Sequence, residues 1–141
     1  MNESKLDVKK RAVIEIAENL FLSQGLATTE MKEIARCASI SRSTLYRMFD
    51  SRETLAFAVA DKCLHELFDP KPMEIYGTDR SGFEILRSYS SNLIETMIQG
   101  VRYVKYLSEF DQMFSGDYPD TPEARKYVQF NRQRHDRQIL L

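Results

Sequence analysis

The stretch SISRSTLYRMFDSRETL, residues 39 to 55, gathers Arg42, Arg47 and Arg52 with the hydroxyls of Ser41, Ser43, Thr44 and Tyr46. A guanidinium donates paired hydrogen bonds to guanine or to a phosphate. Serine and threonine bond bases or phosphates, and a tyrosine hydroxyl reaches a phosphate while its ring packs locally. Leu45, Met48 and Phe49 recur at helical spacing, which anchors one face of the segment and leaves the polar set on the other. Taken alone, a charged face on a short helix is solvated surface and a lone tyrosine is a packing residue. The elements around the stretch decide between these readings.

Those elements are helices. Val13, Ile16, Ala17, Leu20 and Phe21 mark one face of a first helix from about Ser4 to Gln24, which Gly25 can end in a left-handed conformation. Thr29 is placed to cap a short second helix whose inward side is Met31, Ile34, Ala35 and Ala38. Ser41 caps the third, after the turn CASI. Asp50 or Ser51 caps a fourth, carrying Leu55, Val59, Cys63, Leu64, Leu67 and Phe68 as far as the break DPKPMEIYGTD. Ser81 and Glu84 form a capping box for a helix reaching Gly100, another covers Val101 to Phe114, and Thr121 followed by Pro122 opens the last. No run of alternating β-branched residues competes, so the expected fold class is all-α.

Two short helices joined by a tight turn, with an earlier helix across them, describe a helix-turn-helix whose second member can enter the major groove. At these residues, TTEMKEIARCASISRSTLYRMFDSRETL resembles the DNA-binding region of the TetR family of bacterial transcriptional regulators. The resemblance runs from about Arg11 to Val59. It includes LFLSQG in the first helix, EIA in the second, TLY and Phe49 in the third and SRETL at the start of the fourth. Where the family's turn carries glycine after alanine, this chain has Ala38 and Ser39, which requires either a left-handed serine or a different turn.

The resemblance implies that Thr29, Thr44, Tyr46 and Arg52 hold phosphates, while Arg42, Ser43 and Arg47, beside the capping Ser41, lie nearest base edges. Lys5, Lys9, Lys10 and Arg11 can add backbone contacts. It further implies an N-terminal DNA-binding domain over 1–52 and a helical ligand-binding and dimerisation domain over 53–141. The protein is then a homodimeric repressor, released from a double-stranded DNA operator by a small-molecule effector. Tyr89, Met97, Tyr103, Tyr106, Phe110 and Phe114 are the candidate ligand residues, although an aromatic stripe at helical spacing is first of all core. The alternative is a dimeric helical adaptor that kept the fold without sequence-specific DNA binding.

Totals narrow the choice only locally. Formal net charge is -1, so any surface for a polyanion must be a patch rather than a whole-chain field. Cys37 and Cys63 are too far apart for a CxxC motif, and Cys63 with His65 gives no complete metal ligand set. No cofactor, metal or enzyme is expected, since GxSxG, HExxH and a glycine-rich phosphate loop are all missing from the sequence. No apolar run is long enough for a membrane span and MNESKLDVKKRAV lacks the apolar core of a signal peptide, so the expected location is the cytoplasm. The last residues, RQRHDRQILL, stop inside a helical pattern with Ile139, Leu140 and Leu141 at a free end, from which a natural chain continuing further is expected.

Overall fold

The computed structural model describes residues 4–68 and 81–139. Its helices are α1 (Lys5–Gln24), α2 (Met31–Cys37), α3 (Arg42–Met48), α4 (Arg52–Phe68), α5 (Gly82–Gln99), α6 (Val101–Met113) and α7 (Pro122–Ile139). The fold is all-helical among the described residues, as expected. The break DPKPMEIYGTD lies outside them, as do Leu140, Leu141 and the side chain of Ile139.

Helix ends follow local chemistry. The Ser4 hydroxyl accepts from the Asp7 amide at 3.1 Å while the Asp7 carboxylate accepts from the Ser4 amide at 3.3 Å, a capping box with aspartate in place of glutamate. Ser81 and Glu84 form the second box, and the Thr121 hydroxyl accepts from the Ala124 amide at 3.2 Å. Gly25 ends α1 with φ 99°, a conformation that favours glycine. The α2 to α3 turn takes the first of the two forms anticipated for it. Ala38 stays right-handed and Ser39 adopts φ 54°.

One end differs from expectation. Glu30, not Thr29, is the N-cap of α2, and its side chain caps nothing. Thr29 is fully buried, and its hydroxyl donates to the Gly25 carbonyl at 2.8 Å, so the side chain is spent closing the α1 to α2 turn from within.

Among the described residues a buried cluster runs from Val13 on α1 through Ile34, Leu45 and Phe57 to Tyr106, Phe110 and Tyr127. Every residue of α4 from Thr54 to Ala60 is buried, because α1, α6 and α7 surround that stretch. Phe57 touches the rings of Phe110, Phe114, Tyr118 and Tyr127, while Tyr106 stacks on Phe21 and donates to the Ala56 carbonyl at 2.9 Å. The α4 helix thus begins beside α3 and continues as the centre of the C-terminal helices. Whatever moves α6 or α7 bears on it directly.

Candidate nucleic-acid interface

The α3 helix is held by its apolar residues. Leu45 and Phe49 are buried and Met48 is half-buried, which leaves Arg42, Ser43, Tyr46 and Arg47 exposed on the opposite side. Tyr46 keeps 45% of its surface, so it is not a core tyrosine. The Ser41 hydroxyl accepts from the Thr44 amide at 3.1 Å, fixing the first turn. That oxygen also lies 3.0 Å from the Ser43 hydroxyl and 2.8 Å from the Thr44 hydroxyl, and Arg47 donates to Thr44 at 3.4 Å. A compact set of donors therefore stands at the start of the helix. The Lys10 ammonium lies 5.8 Å from the centre of the Phe49 ring, which brings one cation of α1 to this end of the molecule.

Between the starts of α2 and α4 and the exposed side of α3 lies an open concavity of about 630 Å³. It is lined by Glu30, Met31, Lys32, Arg42, Tyr46, Ser51, Arg52 and Glu53. Three of the residues expected from sequence, Arg42, Tyr46 and Arg52, meet on this one surface. The Ser51 hydroxyl accepts from the Thr54 amide at 3.1 Å and so caps α4. Arg52 is half-buried and donates through Nη1 to the Ala27 carbonyl at 3.4 Å, which fixes its guanidinium at the rim. Thr29 does not belong here. Its burial removes the phosphate contact that the sequence had suggested.

Glu30 and Lys32 were missed as members of the surface. They pair at 2.9 Å, with the lysine's hydrogen bond and charge holding the Glu30 carboxyl below the usual range. The signal was present in the two threonines before Glu30, which drew the cap one residue too early. An acid at the start of α2 sets this surface apart from a uniformly basic patch.

The aromatic residues offered as a ligand site are not gathered into one pocket. Tyr106 and Phe110 are buried, their rings packed against Phe21, Phe57 and Tyr127 between α1, α4 and α7. Tyr89, Tyr103 and Phe114 are half-buried, and Met97 is exposed on α5. Cys63 is buried, which pushes its thiol up to about 12 and makes it a core residue rather than a nucleophile or ligand. His65 lies against the ring of Phe130 and 2.8 Å from the Asp61 carbonyl, with 45% of its side chain exposed. No helix among the described residues is long and apolar enough to cross a membrane.

Residues 13–59 match the family of bacterial regulatory proteins known as the tetR family. Over these residues the chain is similar to the TetR family. An uncharacterized HTH-type transcriptional regulator of Mycobacterium tuberculosis is 50% identical over 46 residues, which are 33% of this chain and 23% of that protein. The HTH-type transcriptional repressor KstR2 of Rhodococcus jostii is 33% identical over 60 residues, 43% of this chain and 29% of KstR2. The match thus spans about a quarter of the length of these curated relatives. Among solved structures, a tetR family transcription regulator from Shewanella sp. PV-4 superposes with a TM-score of 0.56 at 23% identity, over 86% of this chain and 61% of the other. NalD, the secondary repressor of the MexAB-OprM multidrug efflux pump in Pseudomonas aeruginosa, superposes at 0.52 with 20% identity, over 90% of this chain and 60% of its own. At such identities these structures show a shared fold. The family match, residues 13–59, takes in α2, α3 and the start of α4, which line the concave surface.

Proposed function

We propose that this TetR-family regulator is a repressor that binds a double-stranded DNA operator as a homodimer, with an α3 helix of each protomer in successive major grooves. The observation that carries the reading is the convergence of Arg42, Tyr46 and Arg52 on one concave, solvent-open surface at the exposed side of α3. Arg42, Ser43 and Arg47 face the base edges in this arrangement. Ser41, Thr44, Tyr46 and Arg52 stand toward the phosphates. Residues 1–52 form the DNA-reading unit and 53–141 the helical part that carries it. The names of KstR2 and NalD, both repressors, support the direction of regulation. A small-molecule effector of the helices beyond residue 52 releases the operator, with Tyr89, Met97, Tyr103 and Phe114 as the aromatic and apolar side chains still open to it. The working compartment is the cytoplasm.

Two substitutions test the division of roles on operator duplex obtained by selection from genomic fragments. Arg42→Ala is expected to weaken operator binding by about 1–3 kcal/mol while leaving random DNA nearly unchanged, as loss of a guanine contact requires. Arg52→Ala is expected to weaken both and to lower the salt slope by about one unit, as loss of a phosphate contact requires. Fluorescence anisotropy at several salt concentrations measures both. If neither variant alters binding, the concave surface is not the DNA interface, and the adaptor reading takes its place.

Glu30 yields a prediction of opposite sign. A carboxylate at the N-cap of α2 repels a phosphate placed there and leaves the helix without a side-chain cap. Glu30→Ser is expected to tighten random-DNA binding and to stabilise the fold by about 0.5–1 kcal/mol. That is the usual gain from a serine cap, and loss of the exposed pair with Lys32 offsets little of it. Weaker binding by Glu30→Ser would show instead that the carboxylate accepts a hydrogen bond from the DNA.

A further inference from the structure

The turn between α1 and α2 is held from two sides through the backbone of one residue. On one side the Glu109 carboxylate of α6 accepts a hydrogen bond from the Ala27 amide at 3.1 Å. On the other, Arg52 at the start of α4 donates to the Ala27 carbonyl at 3.4 Å. The turn itself is stiff. Gly25 adopts φ 99°, the Thr28 hydroxyl donates to the Gln24 carbonyl at 2.6 Å, and the Thr29 hydroxyl donates to Gly25. Glu109 also lies close against Gly25, where an added Cβ would sit 3.5 Å from its Oε1.

From this geometry we propose that Glu109 is a positioning residue for the DNA interface. Its carboxylate fixes Ala27, and the Ala27 carbonyl in turn fixes the guanidinium of Arg52 at the rim of the concave surface. The link rests on the assignment of Arg52 to a phosphate given above. It extends the interface to a residue on α6, 82 positions along the chain from its hydrogen-bond partner. A charged acceptor makes the stronger kind of hydrogen bond to a backbone amide, which suits it to hold a turn that carries a DNA contact. Glu109 itself touches no DNA. Without it Ala27 and Arg52 lose their common register.

The test is a double-mutant cycle on random-sequence duplex DNA, with salt slopes measured for wild type, Glu109→Ala, Glu109→Gln, Arg52→Ala and the Glu109→Ala/Arg52→Ala pair. Glu109→Ala is expected to reproduce most of the Arg52→Ala effect, lowering the salt slope by about 0.9, the value for one phosphate on duplex DNA. The pair is expected to be no weaker than Arg52→Ala alone. Glu109→Gln, which retains an oxygen acceptor, is expected to keep the wild-type slope. Thermal melts accompany each variant, and Glu109→Met, which keeps the stem without the acceptor, replaces Glu109→Ala if that variant does not fold. Lost slope in Arg52→Ala beside a wild-type slope in Glu109→Ala, or additive losses in the pair, overturns the positioning role alone. An unchanged slope in Arg52→Ala overturns the phosphate assignment and the role built on it together.

Discussion

Phe57→Ala is expected to lower the stability of the fold by about 3–5 kcal/mol, the range for removing a large aromatic side chain from a closed core. Phe57 is fully buried, with ring centres at 4.7 Å from Phe110, 5.1 Å from Phe114, 5.4 Å from Tyr118 and 5.7 Å from Tyr127. Those rings come from α6, α7 and the segment between them, so none can collapse into the space without displacing another. Urea unfolding should show the loss as a midpoint lower by about 2 M at a typical slope for a small protein. A loss below about 1 kcal/mol would mean that the aromatic cluster repacks, and that α4 is not clamped between α6 and α7 as described.

Lys62→Met is expected to have the next largest effect. Glu18, on α1, is buried to 8% side-chain exposure and is paired by a hydrogen bond and an ion pair with Lys62 on α4. Removing the lysine strands a carboxylate among Cys63, Tyr103 and Glu66, none of which neutralises it. About 3 kcal/mol of stability should be lost, the lower end of the range for breaking such a pair, because Lys62 itself retains 30% exposure. The Glu18→Leu/Lys62→Met double variant should recover most of that loss, since two apolar side chains replace a buried pair with little penalty. Equal losses in the single and double variants would show that the pair contributes packing rather than charge balance.

The same pair sets a pH dependence at the alkaline end. Burial alone would push the Lys62 pKa down, but the hydrogen bond that its ammonium donates to Glu18 and the charges of Glu18 and Glu66 outweigh it, and the net shift is upward. A raised lysine pKa stabilises the fold fully below the ordinary lysine range and loses that contribution as pH climbs through the folded value. The loss therefore falls above the ordinary lysine value of 10.5 and leaves neutral pH untouched.

How much of this was legible in the sequence depends on whether a residue's role is set by near or distant neighbours. The α3 helix, its Ser41 cap and its exposed Arg42, Ser43, Tyr46 and Arg47 were readable because spacing and capping within ten residues decide them. The capping boxes and Pro122 were local in the same sense, although the Ser4 and Asp7 box went unread. Thr29 misled because residue type favours it as a cap, whereas the Gly25 carbonyl, four residues back, claims its hydroxyl. Periodicity on α4 gave a single stripe through Leu55, Val59 and Cys63. Phe57 and Ala60 are buried as well, because α6 and α7 return from far along the chain to cover the other side. Glu18 and Glu109 were opaque for the same reason, their partners lying 44 and 82 positions away. Tyr106 and Phe110 stood on a stripe that fits either a pocket or a core, and their contacts with Phe21 and Phe57 come from helices too far along the chain to be read from spacing.

On the proposed reading, the exposed side of α3 and the adjoining start of α4 meet the DNA. An amide chemical-shift titration of the isotope-labelled chain with a duplex selected from genomic fragments tests it most directly. The largest perturbations are expected at Arg42 to Arg47 and around Lys32 and Arg52, with little change in the last two turns of α7. Specific binding whose perturbations fall on α5 to α7 and spare α3 would contradict it.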